Sequence, residues 1–163
     1  MLFIIGAFFH FLFVLSGKLS IIGAISAVNE SVWEHEKMIL LPVICWWAIY
    51  YALKGNKYGI DINKWFTGLV ISLFSSLLTI PFLFYFYTQA FGVEILAVDI
   101  FLLLLADFIG QWLGLHFYKH AKSLKVHISI MLVILIVIAF VVFTFNTPHL
   151  PLFQDGVAGG YGI

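Results

Sequence analysis

Residues 65–87 and 128–148 each run for more than twenty positions without a formal charge. At about 1.5 Å of rise per residue, helices of that length cross a hydrocarbon core of roughly 30 Å. Inside such a core every backbone N–H and C=O must find its partner within the structure, which a helix provides by itself. Composition agrees: hydrophobic residues make up 63% and charged residues 10% of the chain, with a mean hydropathy of +1.10, against roughly 45–50% and roughly 25% in soluble domains. The expected architecture is all-α, a polytopic membrane helix bundle of about five transmembrane helices over 2–17, 34–53, 65–87, 93–117 and 127–147, followed by a tail over 148–163. With 163 residues in total the connections are short, so residues 1–163 read as a single integral membrane domain. The first apolar stretch has no basic residues ahead of it and is expected to be a retained helix. The apolar segment 19–28 is too short to span and is expected at the interface or as a re-entrant turn. The single Cys45 lies in an apolar segment, where a buried, unreactive thiol is expected and no intramolecular disulfide can form.

All eight basic residues are lysines, and Lys54, Lys57, Lys64, Lys119, Lys122 and Lys125 fall in the second-to-third and fourth-to-fifth connections. The positive-inside rule places both connections in the cytoplasm of a multi-pass cell-membrane protein. Segment 29–36, the turn over 88–93 and the carboxyl tail then face outside. The lysine-rich connections, with His116, His120 and His127 among them, read as a basic face for anionic lipid headgroups. Trp33, Tyr85, Tyr87, Trp112 and Tyr118 sit near the predicted helix ends and read as interfacial belts. The bilayer is the expected partner, a lipid or small molecule an acceptable ligand, and nucleic acid an excluded one.

The outer face gathers the chemistry. Asn29-Glu30-Ser31-Val32-Trp33-Glu34-His35-Glu36 holds three of the chain's eight acidic residues and an imidazole, and such groups in or beside a membrane are functional candidates. Glu30 and Glu34 are four apart and would share a helix face, with His35 beside them. Zn, Mn or Fe would accept carboxylate and imidazole donors of this kind, completed from another element. The candidate ligands are His35, His149, His10 in the first span, and Asp155 in the tail. Glu30 or Glu34 would serve as general base. The structural reading is equally concrete: Ser31-x-x-Glu34 is a capping box, and acidic residues favour a helix's first turn. Deeper in the bundle, Asp107 and Gln111 lie one turn apart near the middle of the fourth span and form a candidate step on a proton or cation pathway.

Two resemblances bear on these residues. Ser31-x-x-x-His35, Asp107 and His116-x-x-x-His120 resemble the ligand set of the membrane metal-hydrolase superfamily that contains alkaline ceramidases and adiponectin-type receptors. Orientation opposes that match, because His35 and the His116–His120 pair fall at opposite membrane faces, about 30 Å apart. The second resemblance covers essentially the whole chain. Asn29, Glu30, Ser31, Trp33, Glu34 and His35, with Pro148, His149, Pro151, Leu152, Phe153 and Asp155 and the final Tyr161-Gly162-Ile163, resemble a family of small prokaryotic integral membrane proteins of unknown function. His10 falls where that family has a first-helix histidine before an aromatic residue. The chain departs from the family pattern at Lys18-Leu19 and Gly156-Val157-Ala158. The resemblance implies that the two end signatures belong together and assigns no activity.

Three functions fit this pattern. One is a metal-dependent hydrolase or transferase acting on a membrane-borne substrate. Another is a proton- or cation-coupled transporter of a small solute. The third is a scaffold or partner subunit in which the cluster is a helix cap and the hydrophobic tail a packing device folded over the outer face.

Overall fold

The apolar runs become helices, and their ends sit where the sequence supplies a cap. The computed structural model describes residues 2–163 and is all-helical apart from turns and one isolated bridge in the tail. In chain order the elements are α1 (Leu2–Leu15), α2 (Ser20–Gly23), α3 (Val32–His35), α4 (Lys37–Tyr58), α5 (Ile62–Phe91), α6 (Leu96–His120) and α7 (Val126–Phe145), with a 3-10 turn at Pro151–Phe153. Gly59 and Gly92 close α4 and α5 in the left-handed region, at φ of 58° and 67°, where a residue with a Cβ is strained. Asp61 opens α5 by accepting the Lys64 N–H at 2.9 Å.

Four helices are long and apolar enough to cross a membrane: Val32–Tyr58 taken as one rod, Ile62–Phe91, Leu96–His120 and Val126–Phe145. The first expected span differs. α1 has 14 residues, about 21 Å of helix, and falls short of a roughly 30 Å core. It lies against the first half of α4, where Gly6 meets the Met38 backbone so closely that no Cβ could fit. Leu2 and Phe3 border a small void with Val43 and Asp107. Segment 19–28 contributes the single turn α2 and further turns.

α5 and α6 form the most extensive helix pair, and small residues allow their backbones to meet. A Cβ on Gly68 would lie 2.8 Å from the Gly114 carbonyl, one on Gly114 would lie 2.7 Å from the Gly68 carbonyl, and Gly110 abuts the Ser72 carbonyl. The lysine end of the bundle is filled by aromatics. Trp65 packs on Trp47, Tyr50 and Tyr118, and its indole N–H donates to the Trp47 carbonyl at 2.8 Å. Tyr118 therefore helps fill this end of the core as well as sitting near a helix end. Cys45 is exposed, against the expectation of a buried thiol, because α4 turns Val43 and Trp47 to the core and carries Cys45 between them on its outer side.

After α7 the chain doubles back. Phe153 is buried against Trp33 and Phe143, and Trp33 stacks on Phe140 with ring centroids 4.1 Å apart. Trp33 is thus a packing residue between α3, α7 and the tail. Asn29 donates to the Gly162 carbonyl at 2.9 Å, and the Gly156 N–H donates to the Glu30 carbonyl at 3.3 Å. The tail is tied at two points, Gly156 and Gly162, to the start of the Asn29–Glu36 segment.

Candidate metal centre

Ser31 decides the fate of the acidic segment. It is extended, at φ −79° and ψ 153°, and its hydroxyl accepts the Glu34 N–H at 3.3 Å, so the helix starts at Val32. Glu30 consequently stands on the turn before the helix, and the expected shared face of Glu30 and Glu34 does not form. Glu34 turns inward and is 3% exposed. Its carboxylate pairs with Lys37 at 2.6 Å and accepts the Val28 N–H at 3.1 Å and the Thr144 hydroxyl at 2.8 Å. Lys37 is 1% exposed and spends its other donors on the Gly23 and Ser26 carbonyls, at 2.7 and 3.1 Å. Glu34, a candidate general base in the sequence, is thus a buried ion-pair partner. Lys37 was missed there, although a Glu–Lys spacing of three on a helix is a recognisable signal.

Glu30 turns the other way, its side chain 47% exposed, and meets two imidazoles. Its Oε2 lies 3.2 Å from His35 Nε2 and its Oε1 lies 3.5 Å from His10 Nε2. The two imidazoles stack with centroids 5.0 Å apart and planes 20° from parallel. His35 Nδ1 is 2.9 Å from the Ser31 carbonyl. A carbonyl only accepts, so Nδ1 carries the hydrogen; with no metal bound, Nε2 faces the Glu30 carboxylate as a donor of the protonated ring, and a metal would take the place of that proton on Nε2. His10 reaches this point from the last turns of α1, and its Nδ1 is buried without a hydrogen-bond partner. Among the described residues, His10, Glu30 and His35 form the one group of metal-ligating side chains whose ligand atoms all lie within 4.8 Å of one another. Two donors bound at about 2.1 Å in a tetrahedral shell stand about 3.4 Å apart; the two distances here belong to different oxygens of Glu30, and with one atom per residue the group spreads to within 4.8 Å, so the three side chains would draw together around one ion.

The remaining candidates fall elsewhere. Asp155 lies beside the cluster without joining it: Oδ1 accepts the Val157 and Ala158 N–H groups, both at 2.8 Å, and Oδ2 the Glu30 N–H at 3.5 Å. His149 rests on the Tyr161 ring, centroids 4.6 Å apart. Gln111 is bonded at both ends, accepting from Trp47 Nε1 at 2.9 Å and donating to Ser72 at 3.0 Å and Asp107 at 3.4 Å. The void beside Asp107 is about 10 Å³, room for one water. Glu36, at 3% exposure, has one carboxyl oxygen buried without a partner.

Glu30 and His35 also line a cleft of about 440 Å³ between α3, α5, α6 and the tail. Glu94 and Asp99 line it as well. The hydroxyl of Tyr87 donates to Asp99 and accepts the Ile95 N–H at 3.2 Å, a role beyond a belt residue.

The hydrogen bond from His35 holds the Glu30 carboxyl below its usual range, against the upward push of partial burial. Burial pushes Asp155 up, but the Ala158 and Val157 amides outweigh it and hold that carboxyl low as well. Carboxyls lowered by folding stabilise the native state above their unfolded values and lose that contribution as pH falls through the folded ones. Amide exchange at Val157 and Ala158, corrected for intrinsic rate, is expected to stay protected from neutral pH down to about 4 and to lose protection below that. Loss of protection near pH 6 would contradict these assignments.

Neither the curated proteins nor the solved structures include a match to this chain. A family model described as "Family of unknown function (DUF6512)" matches residues 1–163, and the chain belongs to that family.

Proposed function

We propose that His10, Glu30 and His35 bind one divalent transition metal, Zn, Mn or Fe, at the outer face of the cell membrane, and that the protein is a metal-dependent hydrolase or transferase for a membrane-borne substrate. The observation that carries this reading is the His35 ring. Its Nδ1–H is fixed on the Ser31 carbonyl while Nε2 points at a carboxylate that has a second imidazole on its other oxygen. Metal-bound histidines are oriented in this way, by an outer hydrogen bond that sets the tautomer.

Two imidazoles and one carboxylate make a shell with open positions, as catalytic sites require. A bound metal would polarise a carbonyl or phosphoryl oxygen and lower the pKa of a water. Within that chemistry Glu30 and the histidines hold the ion, and Ser31 orients His35. Glu30 is supported as a ligand ahead of a free base, since both its oxygens face imidazoles. The open side would face the cleft. The outer location is supported by the six lysines gathered at the opposite end of the bundle.

Cobalt(II) titration of the detergent-purified protein tests the site. The expected result is a visible d–d absorption that saturates at one equivalent and disappears in His35→Ala. A titration that yields only the spectrum of hydrated cobalt would overturn the reading.

A further inference from the structure

The cleft beside the metal cluster has walls and a rim of opposite character. Ile80 and Phe84 of α5 and Leu102 and Leu103 of α6 form an apolar trough, while Glu30, Glu94 and Asp99 stand around its mouth. No lysine is among the residues that line it, and the chain has no arginine. The volume of about 440 Å³ is that of a small-molecule site. From Leu96 at the rim to Leu103 at depth the trough follows about 10 Å of helix axis, enough for several methylenes of an alkyl chain.

We propose that this cleft binds a cationic amphiphile, with a protonated or quaternary amine at the Glu94–Asp99 rim and its hydrocarbon chain along the α5–α6 trough. The proposal deepens the proposed function by naming the substrate class, and rests on it for the chemistry that follows binding. A bound metal would take the charge of Glu30, leaving Glu94 and Asp99 for the ligand. Tyr87 occupies one Asp99 oxygen and leaves the other for a ligand. Glu94 is exposed. Glu30 neutralises His35, the one lining side chain able to carry a positive charge, so an anionic head group at the other carboxylates, Glu94 and Asp99, would meet like charge, and a small hydrated cation would leave the apolar trough unfilled. A cationic head on a single chain satisfies both parts.

Nitroxide-labelled C18 probes differing only in head group, an ammonium, an alcohol and a carboxylic acid, test this by electron paramagnetic resonance of the protein in uncharged detergent. Charge-assisted contacts to one or two carboxylates correspond to an expected preference of about tenfold for the ammonium over the alcohol. The preference is expected in both chelator-treated and metal-loaded protein. It should vanish in Asp99→Asn/Glu94→Gln while retention of the alcohol stays unchanged, which shows the trough intact. Exposed Glu94→Gln alone provides a variant safe for folding, with a partial loss. Equal retention of the three probes, or a preference that survives the double variant, would overturn the inference. So would a preference confined to metal-free protein, because the recognising carboxylate would then be Glu30. The head-group comparison in chelator-treated protein is independent of whether cobalt binds, so the two proposals fail separately.

Discussion

Lys37→Met is expected to destabilise the protein by about 3–5 kcal/mol, because it leaves the Glu34 carboxylate charged, buried and unpaired. The ammonium of Lys37 joins α4 to two other parts of the chain: Glu34 on α3 and the carbonyls of Gly23 and Ser26 in the segment after α1. Glu34 extends the join to α7 through Thr144. Removing the cation therefore strands two carbonyls as well as a charge. Glu34→Gln strands the ammonium and is expected to cost a similar amount. The pair Glu34→Gln/Lys37→Met removes both charges and should recover part of the loss. Two residues away, Glu36→Gln is the control, since that carboxyl oxygen has no partner to lose and the amide has the same shape; a change within about 0.5 kcal/mol is expected. Unfolding of the detergent-solubilised protein by denaturant or heat measures all four. If Lys37→Met costs no more than Glu36→Gln, the ion pair is not what joins α2, α3 and α7.

The second large effect is on metal affinity. His10→Ala, Glu30→Gln and His35→Ala each remove one donor of three and are expected to weaken cobalt binding by more than 100-fold, beyond the 10–100-fold typical of losing an outer-shell partner. His149→Ala, on the Tyr161 ring, should leave affinity unchanged. Asp155→Asn should fall between, as its carboxylate touches the cluster only through the Glu30 N–H at 3.5 Å. A variant series in which His149 matters as much as His35 would place the site in the tail and refute the cluster.

The helices long and apolar enough to cross a membrane were legible because hydrocarbon admits so few backbone solutions. Residues 65–87 and 128–148 had to become helices, and α5 and α7 contain nearly all of them. α1 was less legible. Its apolar run continues to Ser16, but Gly17 and Lys18 take positive φ and end the helix at Leu15, so its length depends on a turn. Within the acidic segment the residue types pointed to the right place and their roles depended on one cap. Because the helix begins after Ser31, Glu30 faces histidines and Glu34 faces a lysine. Ser31-x-x-Glu34 announced the cap, yet the Glu34 side chain reaches Val28 and Lys37 and does not close a capping box. The meeting of His10 with Glu30 spans twenty residues of sequence and follows from α1 lying along α4, which no local spacing encodes. The direction of His149 follows from the turn between Pro148 and Pro151, equally invisible in spacing. The cleft lined by Glu94 and Asp99 appears only when α5 and α6 are placed together.

The most direct test of the account is the metal content of protein purified in detergent without chelator, measured by elemental mass spectrometry beside His10→Ala/His35→Ala. The account predicts close to one Zn, Mn or Fe per chain in the wild type and a loss of that metal in the double variant, with the fold retained. Wild-type protein that holds no metal as purified, and takes up none after incubation with these ions, would contradict it and leave Glu30 and the two histidines as a hydrogen-bonded latch for the tail.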